Sequence, residues 1–156
     1  VVEDEPMIQE VVAEILGSLN FDVTVAGDGL VALELLHKEK FNIVVSDVLM
    51  PNMNGVDLLS QARVENIPVP FIFMSAHAAM ALVAQALRLG AIDFIQKPFR
   101  HQDLTEVIYR VLDIANRREK IEQQIQASNP ELFEHVQKEE KMISLMRLRN
   151  NTKRIA

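Results

Sequence analysis

The chain contains no cysteine among its 156 residues, which excludes disulfide bridges and thiolate metal sites and fits a reducing, cytoplasmic setting. It also lacks an excess of positive charge, because 22 Asp and Glu against 16 Lys and Arg give a formal net charge of −6. Proteins that bind nucleic acid by neutralising phosphates need the opposite balance. Since no DNA-reading motif is present either, direct DNA binding is not expected.

Long apolar runs are missing as well. The longest, residues 69–87, is interrupted by Pro70, Ser75, His77 and Gln85, so neither a membrane span nor membrane association is expected. No signal peptide is visible, and the Gly-rich loop of P-loop nucleotide enzymes is absent. With 49% hydrophobic residues, the chain predicts one compact domain plus at most a modest appendage.

What is present is a repeating β-α pattern. Residues 1–118 alternate short apolar runs with amphipathic helical stretches five times, and we predict strands at residues 1–3, 22–26, 41–46, 69–74 and 92–95. Because the strands contain several consecutive apolar residues, helices should cover both faces of the sheet. The pattern therefore predicts an α/β fold, a doubly wound five-stranded parallel sheet of the flavodoxin-like (βα)5 type.

Polar side chains follow four of the five predicted strands. The first strand ends in Glu3 and Asp4, and Asp47 follows the third strand, Ser75 the fourth and Lys97 the fifth. Ligands of such sheets bind beyond the carboxyl ends of the strands, so these groups should converge. Clustered carboxylates suit a hard cation such as Mg²⁺, which lets them stay ionised. A carboxylate beside a divalent cation can act as a nucleophile towards phosphorus, while Lys and Ser bind the phosphoryl oxygens.

Four separated motifs make residues 1–117 resemble the receiver domains of bacterial two-component response regulators. They are VVEDEP, SDVLMPNMNG, FMSA and DFIQKPF, in that order. The resemblance implies that Asp47 accepts a phosphoryl group from a sensor histidine kinase or a phosphotransfer protein. It also implies a signalling protein that only catalyses its own phosphorylation and dephosphorylation, and is not otherwise an enzyme.

The resemblance assigns the metal ligands. Asp4 and Asp47 would bind Mg²⁺, or Mn²⁺, directly, and Glu3 would bind it through a water molecule. The backbone carbonyl of Leu49 would complete the protein's part of the coordination shell. Glu3 stands where many family members have Asp, which keeps an acid with longer reach.

Other matched positions would bind or respond to the phosphoryl group. Ser75 would hydrogen-bond it and Lys97 would pair with it. Phe94, where many members have Tyr, would swing inward as the Ser75 hydroxyl is drawn to the phosphate. Leu49 and His77 flank the path of the hydrolytic water and would tune the lifetime of the phosphoryl group. In the family the peptide bond after Lys97 is usually cis.

Simpler explanations exist for each residue. A single acid after a strand is most often a loop residue or a helix cap, Ser75 could cap the following helix, and Lys97 could be a solvated turn residue. The agreement of four strand ends favours the phosphoacceptor interpretation of Asp47. A phosphatase of the haloacid dehalogenase type also uses an Asp nucleophile, but it needs a second acid two residues later, and this chain has Leu49 there.

Beyond residue 100 the sequence predicts a helical extension. From His101 to about Ala127 there is no Gly or Pro, and a helix of that length would reach about 40 Å. SNPEL predicts a break near residues 128–130, with Pro130 at the first position of a further helix to about Arg149 and a basic tail after it. We therefore divide the chain into a receiver domain, 1–117, and an extension, 118–156. The long helix carries a coiled-coil seam formed by Leu104, Val107, Val111, Ile114, Arg118, Ile121 and Ile125.

Two hypotheses describe the output. In the first, the extension forms a homodimer or docks a downstream protein partner. Phosphorylation would then act on the surface of the fourth helix, fifth strand and fifth helix. In the second, the chain is a receiver fragment of a larger regulator whose effector domain is missing.

Overall fold

A computed structural model describes residues 1–76 and 80–152 of the chain. Three strands and six helices occur in these ranges, and none of the helices is both long and apolar enough to cross a bilayer. In chain order the elements are α1 (Pro6–Ser18), α2 (Gly29–Lys38), β1 (Val44–Asp47), α3 (Gly55–Val64), β2 (Phe71–Ser75), α4 (Met80–Arg88), β3 (Asp93–Gln96), α5 (His101–Ser128) and α6 (Pro130–Thr152).

The strands form one parallel sheet in the order β1-β2-β3. Residue Val2 extends this sheet beyond β1, because it bridges Ser46 on one side and Ala26 on the other. Five chain segments therefore lie side by side in the predicted parallel arrangement. Their order reverses between the first segment and β1, which is the position where doubly wound sheets bind ligands.

Two of the five predicted strands are not regular strands, which corrects that expectation. Residues 1–3 and 22–26 join through the single bridge at Val2. The N-terminal ammonium of Val1 donates to Thr24 O at 2.7 Å, and two backbone amide hydrogen bonds also link the segments. These run from Ala26 N to Val1 O at 2.8 Å and from Glu3 N to Ala26 O at 3.0 Å. The strand at 69–74 begins later, at Phe71, since Pro70 has no N–H to donate to a ladder.

Each strand places alternate side chains on opposite faces of the sheet, and both faces are buried. Val44, Phe71 and Phe73 belong to a core cluster packed under α2, α3 and α4. Val45, Ile72, Met74 and Ile95 belong to a second cluster packed under α1 and α5. The predicted doubly wound α/β architecture is confirmed.

Helix α5 runs well past the sheet, as its sequence predicts. Leu104, Val107 and Val111 are buried in the core, whereas Ile114 and Ile121 are about half exposed. After Asn129, helix α6 turns back alongside α5 and also contacts α3. The distal part of the predicted seam therefore borders an open apolar groove shared with α6, which is lined by Ile114, Arg117, Arg118, Ile121, Glu122, Ile125, Phe133, Val136 and Gln137.

Candidate functional site

Four of the polar groups singled out in the sequence meet at the carboxyl edge of the sheet. Carboxylate oxygens of Glu3, Asp4 and Asp47 all lie within 4.8 Å of one another. Glu3 is 1% exposed and Asp47 is 9% exposed, whereas Asp4 faces solvent. The fourth group is the ammonium of Lys97, which is held between two of these carboxylates.

Lys97 neutralises part of the acidic cluster. Its Nζ donates to Glu3 Oε2 at 2.7 Å and to Asp47 Oδ2 at 3.1 Å. Burial alone would lower the Lys97 pKa, but these hydrogen bonds and charges outweigh it, so the pKa is raised. The Glu3 pKa is also raised, because burial and the nearby Asp47 charge outweigh the hydrogen bond from Lys97. The Lys97 ammonium therefore offsets part of the cost of burying the Glu3 carboxylate.

The backbone around Asp47 fixes the direction of its carboxylate. Val48 N donates to Asp47 Oδ1 at 2.6 Å, and the Ser46 hydroxyl donates to the Asp47 carbonyl at 2.8 Å. Helix α3 begins directly behind this backbone, with Asn54 capping it by accepting hydrogen bonds from Val56 N and Asp57 N. Asp47 thus keeps one oxygen on the main chain and the other towards Lys97, at the open edge of the sheet.

Lys97 itself is anchored to the neighbouring strand. Its backbone N donates to the Ser75 carbonyl at 2.8 Å, and the peptide bond between Lys97 and Pro98 is cis, as the resemblance implies. The Ser75 side chain is 1% exposed, and its hydroxyl donates to the Ala76 carbonyl at 3.0 Å. In this structure the Ser75 hydroxyl bonds the backbone instead of joining the Asp47 cluster.

The remaining predicted residues surround this cluster. Phe94 pairs in register with Phe73 and is partly buried against the core under α2, α3 and α4. Leu49 is 53% exposed, two residues beyond Asp47. His77 lies outside the described residues, so its suggested part in phosphoryl lifetime stays a prediction.

The donors present at this edge fit a hard divalent cation. Three carboxylates from two chain segments converge with no sulfur or imidazole among them, and Mg²⁺ and Mn²⁺ prefer such oxygen ligands. Glu3 contributes its carboxylate from the buried side of the cluster, and Asp4 contributes its carboxylate from the solvent side. The site is thus open to solvent on one side, where a cation could keep its remaining ligands as water.

Comparison with known proteins identifies the family. The family profile described as the response regulator receiver domain matches residues 1–109. The chain belongs to this family. This receiver is 34% identical over 130 residues to the transcriptional regulatory protein FixJ of Bradyrhizobium diazoefficiens, covering 81% of the chain and 63% of FixJ. It is 33% identical over 117 residues to the probable transcriptional regulatory protein TcrX of Mycobacterium tuberculosis, covering 75% of the chain and 49% of TcrX.

Solved receiver structures share its fold. The receiver domain of NtrX from Brucella abortus superposes with a TM-score of 0.68 at 30% identity, covering 72% of this chain and 95% of that one. Full-length FixJ from B. japonicum gives a TM-score of 0.69 at 33% identity, covering 81% of this chain and 64% of that one. The chain therefore spans less than two thirds of FixJ and about half of TcrX. Receivers of two-component systems are generally signalling domains without an enzymatic role of their own.

Three contributors to the receiver site were not identified from the sequence. Asn54 caps α3, and a capping pattern ahead of the apolar helix could have identified it. Gly55 packs directly against the Asp47 backbone, and Gln9 bonds the backbone around Glu3. Gly55 ends the motif SDVLMPNMNG, but the sequence does not reveal its close approach to Asp47, and no sequence signal identifies Gln9. Both roles depend on distances between separate segments.

Proposed function

We propose that this receiver accepts a phosphoryl group on the Asp47 carboxylate. The observation that carries the proposal is the arrangement of Asp47, which is held at the open edge of the sheet between a main-chain N–H and the Lys97 ammonium. In the reaction, an Asp47 oxygen forms a bond to phosphorus, and the bond from phosphorus to the donor group breaks. The donor would be the phosphorylated histidine of a sensor kinase or of a phosphotransfer protein, as family membership suggests.

The surrounding groups would stabilise the transferred phosphoryl group. Lys97, now bound to two carboxylates, is placed to exchange these partners for phosphoryl oxygens. The Ser75 hydroxyl can leave the Ala76 carbonyl by rotating about its side-chain bond and then donate to the phosphoryl group. Phe94 would occupy the space on the inner side of Ser75 after that movement, which is the proposed switch.

The proposed metal shell consists of Asp4, Asp47, the Leu49 backbone carbonyl and Glu3 through a water molecule. When bound, Mg²⁺ would neutralise the clustered carboxylates and the phosphoryl oxygens. Glu3 suits an indirect role, because its side chain is buried and already bonded to Lys97. Leu49 and His77 stay assigned to the lifetime of the phosphoryl group.

A direct test is labelling with acetyl phosphate in the presence of Mg²⁺, followed by intact-mass measurement. We expect one phosphoryl group on the wild type and none on Asp47→Asn, while Asp22→Asn, which changes an exposed acid away from the site, labels normally. A chelator should abolish labelling of the wild type. Full labelling of Asp47→Asn would overturn the assignment.

The output is proposed to run through the surface of α4, β3 and α5 and through the helical extension. We keep the division into a receiver at 1–117 and an extension at 118–156, because the family match ends at residue 109 while α5 continues to Ser128. Half-exposed Ile114 and Ile121 leave apolar surface on α5 even with α6 alongside, which favours a homodimer or a docked partner. Light scattering with and without acetyl phosphate tests the dimer, and a monomer under both conditions would refute it.

An alternative proposal is that the chain acts as the receiver part of a larger regulator. It is favoured by the chain's match to 63% of FixJ and 49% of TcrX. The length of the full reading frame distinguishes the two proposals. Direct DNA binding by these residues is not expected in either case, and a cytoplasmic location stays a prediction.

A further inference from the structure

Gln9 contacts the metal-binding edge of the sheet from α1, although it does not belong to the acidic cluster. Its side chain is partly buried, and its Nε2 donates to two backbone carbonyls, Glu3 O at 3.1 Å and Ala26 O at 3.1 Å. Because both partners are carbonyl oxygens, only the amino end of the amide can face them. The two N–H groups of one side chain thus bridge two separate chain segments.

This bridge lies where the sheet is least continuous. The segments that contain Val2 and Ala26 are linked by one isolated bridge, and the Ala26 carbonyl already accepts the Glu3 N–H at 3.0 Å. The bond from Gln9 uses the second acceptor position of that carbonyl. Gln9 therefore adds two side-chain hydrogen bonds to the main-chain bonds that join these segments, which also include the bond from the Val1 ammonium to Thr24 O at 2.7 Å.

The Glu3 carbonyl controls the direction of the next residue. Since a peptide unit is planar, fixing the Glu3 carbonyl also fixes the orientation of the Asp4 N–H and the position of the Asp4 Cα. Asp4 is exposed, so core packing does not hold its carboxylate in place as it holds that of Glu3. Two side-chain contacts therefore limit how the Asp4 loop can turn. One is the Gln9 amide on the Glu3 carbonyl at 3.1 Å, and the other is Glu3 Oε1, which accepts from Glu5 N at 3.3 Å.

We propose that Gln9 is a positioning residue for the metal site, because its amide fixes the loop that carries Asp4 by bridging the carbonyls of Glu3 and Ala26. The inference rests on the proposed function, in which Asp4 binds Mg²⁺. Partners that orient metal ligands typically change metal affinity by about 10- to 100-fold when they are removed. Gln9 acts through the backbone instead of bonding the ligand itself, so we expect the lower end of that range.

The test compares Mg²⁺ dissociation constants of the full chain, measured by titrating backbone amide chemical shifts in ¹⁵N-labelled protein. Gln9→Met keeps the length of the side chain and removes both donors. The matched control is Gln61→Met, which removes an amide that bonds Glu65 at the C-terminal end of α3, away from the site. We expect about 10-fold weaker Mg²⁺ binding for Gln9→Met and an unchanged constant for Gln61→Met. A purely structural role for Gln9 would lower the unfolding temperature and leave the constant unchanged, which would overturn the inference.

A second measurement uses the wild type and does not depend on whether Gln9→Met folds. The side-chain amide protons of Gln9 should shift on addition of Mg²⁺ with the same midpoint as the Asp4 backbone amide. Gln9 protons that do not respond while the Asp4 amide does would also overturn the inference. A wild type that binds no Mg²⁺ at this edge would instead overturn the proposed metal site, so the two failures are distinguishable.

Discussion

Replacing Gly55 with alanine should disturb Asp47 more than the addition of one methyl group suggests. Gly55 is the first residue of α3, and its N–H donates to the Val48 carbonyl at 3.0 Å. A Cβ at this position would lie 2.1 Å from the Asp47 carbonyl oxygen and 2.8 Å from both the Ser46 hydroxyl and the Phe73 ring. The gap to Asp47 must widen by about 0.9 Å to reach 3.0 Å, below which real Cβ contacts essentially do not occur.

The backbone has to absorb this movement, because the nearest atom is the carbonyl of β1 and not a flexible side chain. Overpacking of a buried position lowers the unfolding free energy by about 1–3 kcal/mol. We expect Gly55→Ala to lie at the upper end of this range, because the main chain of β1 cannot move aside as easily as a side chain. A catalytic group displaced by about 1 Å can lose on the order of 100-fold in rate. We therefore expect the acetyl phosphate labelling rate to fall by about 10- to 100-fold, even in the fraction of protein that stays folded.

The assay combines urea unfolding with the rate of mass labelling. The matched control is Gly17→Ala in α1, where a Cβ would meet no atom within 4 Å. This change should raise the unfolding free energy by about 0.5–1 kcal/mol and leave labelling unchanged. A Gly55→Ala protein with the stability and labelling rate of the wild type would refute the close approach of α3 to Asp47.

Three other predictions concern charges at the site and at the start of α5. With metal ions removed by a chelator, Lys97→Met should lower the unfolding free energy by about 1.5–3 kcal/mol, because Glu3 would stay buried without its cationic partner. Urea unfolding measures this change, and an unchanged unfolding free energy would contradict the prediction. Mg²⁺ at 100 times its dissociation constant for the wild type should raise the unfolding free energy of the wild type by about 2.7 kcal/mol, measured by thermal unfolding. An equal gain in Asp4→Asn at the same Mg²⁺ concentration would argue against Asp4 as a ligand. Hydrogen bonds from Arg100 are the main reason that the Asp103 pKa is lowered to about 2. As the pH falls, the Asp103 carboxylate therefore becomes protonated in the unfolded chain before it does so in the folded one. The stabilisation by Asp103 should therefore be complete above about pH 4 and disappear towards pH 2. The melting temperatures of the wild type and of Asp103→Asn should converge as the pH falls over that interval. A difference in melting temperature that does not change with pH would contradict the pairing of Asp103 with Arg100.

The sequence predicted the helices better than the edges of the sheet. The span of α5 followed from the absence of Gly and Pro after His101, and the start of α6 followed from Pro130. The first two strands proved too short for regular ladders, because ladder formation depends on hydrogen bonds to distant segments and not on the apolar run alone. The same limit applies to the coiled-coil seam, since heptad spacing does not reveal whether α6 or a second chain lies opposite Ile121.

By itself the sequence determined the α/β class and the order of the elements, because apolar strands alternate with amphipathic helices. The family followed from the resemblance of four motifs to receiver domains, and the family profile confirms it. The sequence also identified Glu3, Asp4 and Asp47 as a cluster, and the structure places their carboxylate oxygens within 4.8 Å of one another. Only the tertiary structure decided that Lys97 bonds both Glu3 and Asp47, that Gly55 packs against the Asp47 backbone, and that the Gln9 amide bonds the Glu3 carbonyl. These features depend on distances of a few ångströms between residues far apart in the chain, and such distances arise only when the sheet and its helices pack together.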